Sequence, residues 1–446
     1  MVTPRLSSIS GNFSRAGASK KQIDSLKGVS LLMKKHLLPL FLCLSLLTGC
    51  AAAGAAAQSV PKAAGDVSIP VLDADSHPDT SYAAFAAELL RQSRTEGENT
   101  LLSPLSVMLA LGMTANGASG ETLAGFRSLF GMDLDALNAY CASALSTYSK
   151  LGGSTQATLV NSLWCDPDLT LEDRFVARCQ QNYGAELYQA DLSSAATVKA
   201  VNDWVKEATK GLIPNTVDQF SEDAVLALVN AIYLNNRFER PFEAPVSDWE
   251  MDFTAEDGTV SHPKGMSNGI RTEQYIAARK GQGVVLPYDD GHLGFLLMLP
   301  DEGVSLTAYL ASWNGETAGA LLKARQEARV SLVVPKFEVE WSGSLGDTLA
   351  AMGLADAFDP SAADFSAMGS VPGKSLCVGD VIHKTVLKVN EKGTEAAAVT
   401  AAVMKATSAA PAEDPIVLRF DRPFVCGIVD LETGAPLFLG TVENLT

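Results

Sequence analysis

The segment VNEKGTEAAAVTAAVMKATSAAP, from Val389 to Pro411, limits the fold more than any other part of this chain. It opens like a strand, passes through Gly393 and runs on through small residues with almost nothing to bury. Ordering such a run costs about 1–2 kcal/mol per residue, and small side chains return little apolar burial. Two readings are open. Ala favours helix and Thr394 could cap one, but a solvated helix needs a polar face, and Ala396 to Met404 supplies almost none. As a strand, alternation sets Thr394, Ala396, Ala398, Thr400, Ala402 and Met404 on one face. Glu395, Ala397, Val399, Ala401, Val403 and Lys405 take the other. The charges then fall on the second face alone, so the first can lie against a core while the second meets water. Gly393 can absorb a change of backbone torsions, and no Pro between Glu391 and Ala410 removes a ladder donor.

The chain around this segment has 446 residues, 47% of them apolar, enough for a large core. Its formal net charge is −17, with no basic block after the N-terminal region. That argues against a nucleic-acid partner, which would need a concentrated basic surface. Met33 to Cys50 reads MKKHLLPLFLCLSLLTGC, with a basic start, a short apolar run and a small-residue end. This is the pattern of a secretory signal, too short to span a bilayer in the mature protein. Leu47-Thr48-Gly49-Cys50 resembles the bacterial lipobox, which implies cleavage before Cys50 and lipidation of its thiol. Residues 1–32 then read as an extension upstream of a true start at Met33, and 33–49 as the signal peptide. The low-complexity stretch 50–80 reads as a tether, and 81–446 as one folded domain. The expected destination is across the cytoplasmic membrane, lipid-anchored at the cell surface or released outside. Cys141, Cys165, Cys179, Cys377 and Cys426 remain, without CxxC spacing. A disulfide framework or zinc site is not expected, and these cysteines read as small buried residues.

The first half of the domain has helical periodicity. TSYAAFAAELLRQ sets Phe85, Leu89 and Leu90 on one side, and SPLSVMLALGMTANGASGETL reads as helix, turn and helix start. TVKAVNDWVKEATKGLI aligns Val198, Val201, Val205, Ala208 and Leu212, with Gly211 as a left-handed stop. The second half reads as strands. AVLALVNAIYL fits a strand buried on both faces, and VVLPYDDGHLGFLLMLP fits two strands around Asp-Asp-Gly. PKFEVEW alternates, with Phe337, Val339 and Trp341 inward. The C-terminal strands join at Glu432-Thr433-Gly434. No βαβ repeat appears, so the class is α+β.

Catalytic signatures are missing: there is no GxSxG and no HExxH. GSVPGKS from Gly369 is one residue short of a phosphate-binding loop and lacks a following helix, so it reads as a surface turn. Asp289, Asp290 and His292 occupy a hairpin turn rather than a metal site. The expectation is no enzyme, no cofactor and no metal.

VNEKGTEAAA following HKTVLKV closely resembles the reactive-loop hinge of the serpins. NTLLSPLSVMLALGMTANGASGET, LVNAIYLNNRFERPF, LPDEG, PKFEVE, ADFS, HK and DRPFVCGIVDLETGAPLFLG resemble further serpin segments, in the family's order. The resemblance covers residues 81–446. It implies a serpin fold with three β-sheets, eight or nine α-helices and an exposed reactive loop at about 391–415. It also implies an inhibitor of extracellular serine proteases. The target cleaves the loop and is acylated, the loop enters the main sheet as a strand, and the protease is dragged and distorted before deacylation. Loop insertion is an established behaviour of that family and comes with the resemblance.

Carried over residue by residue, the hinge is Glu391, Gly393, Thr394, Glu395, Ala396, Ala397 and Ala398. The polar positions under the opening sheet, the shutter, are Ser103, Ser106, Asn230 and His383. Phe238 stands where the family commonly has Trp, and Lys392 replaces a common Glu. Family spacing puts the scissile bond at Thr407–Ser408, which suits elastase-like or subtilisin-like proteases. The stretch from Ser408 to Phe420 is longer than the family norm, so Met404, Lys405 and Ala406 stay open as alternatives. The implied partner is a target protease in a covalent acyl-enzyme complex, the chain itself being monomeric and membrane-bound through its lipid. The alternative reading is a non-inhibitory serpin acting as a surface binding protein.

Overall fold

The computed structural model describes residues 58–59, 78–242, 249–394 and 414–445. The helical half begins with α1 (Pro78–Ser93), which turns Tyr82, Phe85, Leu89 and Leu90 inward. It starts just ahead of the expected boundary, because Pro78 suits a first helical turn. Next is α2 (Pro104–Ala115), buried along nearly its whole length. Its N-cap Ser103 accepts a hydrogen bond from the Ser106 backbone N–H at 3.2 Å. Then follow α3 (Gly120–Phe130), α4 (Leu134–Tyr148), α5 (Asp173–Tyr183) and α6 (Ala195–Ala208). The stop after α6 is left-handed at both Lys210 and Gly211. Counting the continuous, kinked Gly346–Phe358 segment once, the described residues hold nine helices.

The strands are β1 (Gln58–Ser59), β2 (Thr100–Leu102), β3 (Gln156–Cys165), β4 (Glu186–Gln189), β5 (Leu226–Arg237), β6 (Lys264–Ala278), β7 (Gly281–Pro287) and β8 (Leu293–Pro300). They continue with β9 (Arg325–Pro335), β10 (Phe337–Ser344), β11 (Ile382–Asn390), β12 (Gly393–Thr394), β13 (Ile416–Arg419), β14 (Phe424–Asp430) and β15 (Pro436–Val442). The main sheet runs β1-β4-β3-β5-β12-β11-β10. The second runs β13-β9-β6-β7-β8-β14-β15-β2, with Trp249–Glu250 pairing off that path. A register shift between Ser267 and Ile270 interrupts the β6–β9 ladder, the kind of irregularity that bends a strand. Two short two-stranded ladders complete the set. The α+β class holds, with three or more sheets.

The main sheet is covered on both sides. On one face α6 buries Val201 and Val205 with Trp164, Val229 and Ala231. On the other lies the principal core, shared by α2 and the second sheet. This explains the continuous apolar run of β5, whereas β10, with charges on one face, alternates cleanly. Cys141, Cys165, Cys179 and Cys426 are buried free thiols, as expected, but Cys377 is exposed. It sits in irregular chain just ahead of β11. The Asp289–His292 turn is tied down: Asp289 accepts from the Ser154 backbone N–H and hydroxyl, and Asp290 from Thr155, His292 and Leu293. Among the described residues no cluster of His, Cys, Asp or Glu could hold a metal ion.

Candidate functional site: a strand slot in the main sheet

The hinge is already part of the main sheet. Gly393 pairs with Arg237 on β5 and Asn390 on β11, and Thr394 with Asn236 and Val389. The tight return from β11 is held by its own backbone. Lys392 donates to Asn390 Oδ1 at 2.9 Å, Phe238 N–H to the Lys392 carbonyl at 2.8 Å, and Phe242 N–H to the Glu391 carbonyl at 2.8 Å. Lys336 Nζ stands 2.5 Å from the Glu391 carboxylate. Gly393 is needed twice over. Its φ of +151° disfavours other residues, and a Cβ there would lie 2.0 Å from the Asn236 carbonyl oxygen.

Thr394 is 1% exposed. Its hydroxyl, both amide atoms of Asn236 and the Tyr288 hydroxyl are buried without a well-formed hydrogen bond. Burial pushes the Tyr288 phenol far above its ordinary pKa, and the adjacent Thr394 side chain offsets part of that. Below them Phe238 stacks on Tyr288 with centroids 5.3 Å apart and meets Phe242 and Phe295. The position where a Trp was expected is thus a Phe with a full aromatic contact set.

Beneath β12 the two flanking strands part. Among the described residues β5 and β11 are joined only through β12. Between them lies a narrow cleft. Its walls are Ile232, Tyr233 and Leu234 on one side and Thr385, Val386 and Leu387 on the other. Leu212, Ile213, Ile428 and Phe438 also line it. Among the described residues no strand other than β12 pairs with the inward edges of β5 and β11, and such edges present rows of N–H and C=O groups that another strand can satisfy.

The shutter residues come together where the start of α2 reaches both walls. On the β5 side, the Ser106 hydroxyl hydrogen-bonds Asn230 Oδ1. Asn230 Nδ2 donates to Asn161 Oδ1 at 2.8 Å and to the Val160 carbonyl at 3.3 Å. On the β11 side, Ser103 N–H donates to His383 Nε2 at 3.0 Å, and the Ser103 hydroxyl donates to the Leu437 carbonyl at 2.8 Å. Burial lowers the His383 pKa to about 4, so the ring is neutral and can accept. One helix start therefore clamps both edges of the cleft.

Glu395, Ala396, Ala397 and Ala398, the bond Thr407–Ser408, its alternatives Met404, Lys405 and Ala406, and Cys50 lie outside the described residues. Sequence reasoning passed over Asn161, Asn236, Tyr288, Lys336 and Thr385. Thr385 hydrogen-bonds the Leu101 carbonyl at 2.6 Å and so ties β11 to β2. A polar residue inside an otherwise apolar strand, such as Asn161 in TLVNSLW, was the available signal.

An α+β fold whose central sheet takes a strand from its own chain defines a class of protein. A family model described as Serpin (serine protease inhibitor) matches residues 80–445. An uncharacterised serpin-like protein of Thermococcus kodakarensis is 31% identical over 366 residues, covering 81% of this chain and 84% of that one. The thermophilic serpin tengpin in its native state superposes with a TM-score of 0.80 at 31% identity, covering 88% of this chain and 100% of tengpin. Its latent state gives 0.72 at 30% identity, covering 84% and 100%. This chain belongs to the serpin family, whose members are in general serine protease inhibitors.

The expectation of no enzyme needs correction. It took the lack of a catalytic constellation to place the chain outside enzyme chemistry altogether. Serpins are serine protease inhibitors that act as suicide substrates, so the family's action lies inside a protease's reaction rather than outside enzyme chemistry. That is an enzyme-like action, although not catalysis in the ordinary sense.

Proposed function

We propose that this chain is a suicide-substrate inhibitor of extracellular serine proteases, with elastase-like or subtilisin-like enzymes as targets. The protease hydroxyl attacks the Thr407 carbonyl, the Ser408 amine leaves, and Thr407 remains as an acyl ester. The freed end then enters the slot between β5 and β11, continuing β12 and carrying the protease with it. Gly393, Thr394 and Glu395 to Ala398 serve as the hinge, and Ser103, Ser106, Asn230 and His383 as the clamp that yields.

The observation that supports this reading is β12 itself, a short strand from the right segment already laddered on both sides, with a narrow cleft between the same two strands below it. Its register gives the rest. Thr394 lies opposite Asn236 and Val389. A loop inserted antiparallel in the same register would set Ala396 between Leu234 and Leu387, Ala398 between Ile232 and Thr385, and Thr400 between Asn230 and His383. Small residues thus enter the cleft, and a hydroxyl arrives where the polar clamp stands.

We place the protein at the cell surface as a monomer, anchored through lipid on Cys50; a Cys50→Ser variant released into the medium supports this, and one retained on membranes speaks against it. The inhibitory reading is tested by incubating the protein with pancreatic elastase, subtilisin and trypsin. An SDS-stable complex is expected, with mass spectrometry locating the cut at Thr407–Ser408. Cleavage of the loop by all three without any covalent complex would defeat the reading.

A further inference from the structure

Two acceptor oxygens on β6 are buried beside one another without a donor. Glu273 is 3% exposed and Asn268 7%, and neither Glu273 Oε1 nor Asn268 Oδ1 has a hydrogen-bond partner. The side chains meet, the Asn268 amide steadying the ionised carboxylate. The register shift between Ser267 and Ile270 brings Asn268 there, since a bulge re-aims a side chain. Burying a polar oxygen unpaired is costly. An ionised carboxylate accepts only, and so does an amide oxygen. One proton on Glu273 satisfies both oxygens: after a half-turn of the Asn268 amide, the carboxyl O–H donates to Oδ1.

The second carboxylate oxygen has another partner. Glu273 Oε2 accepts from Arg240 Nη2 at 3.1 Å, and the same nitrogen donates to the Thr272 carbonyl at 2.8 Å. Arg240 lies in the turn after β5. That turn holds the hinge return, through the Phe238 and Phe242 N–H groups to the Lys392 and Glu391 carbonyls. Glu273 thus reaches the hinge through Arg240. Among the described residues the other charged group facing it is Arg271, two places back on β6. Across the ladder on β9 stand Val330, Ala328 and Gln326, and Val284 on β7 lies opposite Tyr275. Burial pushes the Tyr275 phenol up, away from the acid range. Burial also outweighs the two guanidinium groups and holds the Glu273 carboxyl above its ordinary value.

We propose that Glu273 is a positioning residue for the hinge, with a grip set by one proton. Ionised, it anchors Arg240 and with it the turn under Lys392 and Glu391. Protonated, by a proton taken from water, it turns to Asn268, and Arg240 keeps only a neutral acceptor. The hinge return is then held less firmly in mild acid than at neutral pH. Global stability runs the other way. The folded pKa is raised above 4.5, so this group's stability is fully present below 4.5 and is lost as pH rises. Acid relieves the cost of the buried charge while it loosens the turn. His383, with a pKa of about 4, stays largely neutral down to the low end of this window. That the same proton regulates loop insertion rests on the inhibitory reading above; the positioning of the hinge does not.

The test is hydrogen exchange in the intact protein from pH 7 to 4.5, read by mass spectrometry on peptides covering Asn235 to Phe242 and corrected for the intrinsic pH dependence of exchange. Parent exchange there should quicken about fivefold as pH falls, the size expected when a charge-assisted bond becomes a neutral one. Glu273→Gln should exchange at the fast level at every pH and melt no lower than the parent at pH 7, whereas plain loss of a structural ion pair would lower melting. Asn268→Asp, which sets acceptors alone beside Glu273, should move the transition to higher pH. Glu239 and Glu391 are common to all three proteins, so the comparison isolates Glu273. Parent protection unchanged between pH 7 and 4.5 would overturn the proposal. So would a pH response that persists in Glu273→Gln, or a transition left at the parental pH in Asn268→Asp. None of these readings involves a protease. Failure of the unmutated protein to trap one removes the inhibitory reading, and the exchange result still decides this one.

Discussion

The two large sheets are built from similar apolar strands and behave oppositely at their centres. In the second sheet β8, β14 and β15 are buried at every residue and laddered to one another along their length, with a single register shift between Ile428 and Val429. In the main sheet the outer pairs, β3 with β5 and β10 with β11, are just as regular. Between β5 and β11, however, only Gly393 and Thr394 among the described residues bridge the strands. What holds the slot's walls in place is a set of polar side chains on the start of α2. Separating packed apolar faces costs about 25 cal/mol per Å². A typical hydrogen bond nets only about 1 kcal/mol, because water or another strand can replace it. The difference teaches how one domain can be rigid and convertible at once: the part that must open is held by replaceable contacts.

The sharpest way to break this contrast is to cut the loop. Insertion would add about a dozen backbone hydrogen bonds, on the order of 10 kcal/mol in all. The nicked protein should therefore melt more than about 10 °C above the intact one in calorimetry. Thr394→Arg should already lower the melting of the intact protein, because Thr394 is 1% exposed there and a buried unpaired charge costs several kcal/mol; expelled from the sheet, the Arg end of the loop should obstruct insertion and turn the inhibitor into a substrate. An SDS-stable complex formed by Thr394→Arg at parental yield would show that the face assignment is wrong.

A matching change in the closed sheet should behave differently. Leu297 on β8 is fully buried and is registered with Val284 and Cys426. Leu297→Ala should cost about 2–5 kcal/mol, and it should lower the melting of intact and nicked protein alike. A selective loss in one of the two forms would mean that the second sheet takes part in the conversion.

How much of this was legible beforehand follows from where each signal lies. The alternation of Phe337, Val339 and Trp341, the Asp289-Asp290 turn and the amphipathic start of α1 are local patterns, and all appear as read. Gly393 was legible as a permissive hinge. The second reason for it, the close approach of the Asn236 carbonyl, needs a strand from far upstream. Asn236, Tyr288 and Thr394 come from three distant segments with no shared period, so nothing in the chain announces their meeting. The shutter residues came from family resemblance, since no spacing rule says that Ser103 N–H will meet His383. Cys377 was misjudged because a thiol's usual preference for burial gives way in exposed irregular chain.

The clamp itself can be probed by acid. His383 is buried, its pKa lowered to about 4, against about 6.5 when unfolded. Between those values the unfolded chain binds the extra proton and the native one does not. Stability from this group is thus fully present above pH 6.5 and is lost as pH falls towards 4, by about 3 kcal/mol at most. His383→Gln keeps an acceptor and removes the titration, so its denaturation midpoint should fall less steeply than the parent's across that window. Equal slopes would show that the ring is not held neutral.

The smallest effect discriminates best between a clamp and two unrelated hydrogen bonds. Ser106→Ala removes the hydroxyl that holds Asn230 Oδ1 and should cost about 1 kcal/mol, the net worth of a half-buried hydrogen bond. Asn230 and His383 stand on opposite walls of the slot and make their bonds to the same helix start. If α2 couples the walls, Ser106→Ala and His383→Gln should be non-additive in the intact protein by at least about 0.5 kcal/mol. Once a strand occupies the slot, the walls are joined through its ladder and the coupling through α2 should shrink. A double-mutant cycle measured on intact and nicked protein reads both values. Additivity in the intact form would leave two independent bonds, and the contrast between the sheets would then rest on β12 and its two-residue ladder among the described residues alone.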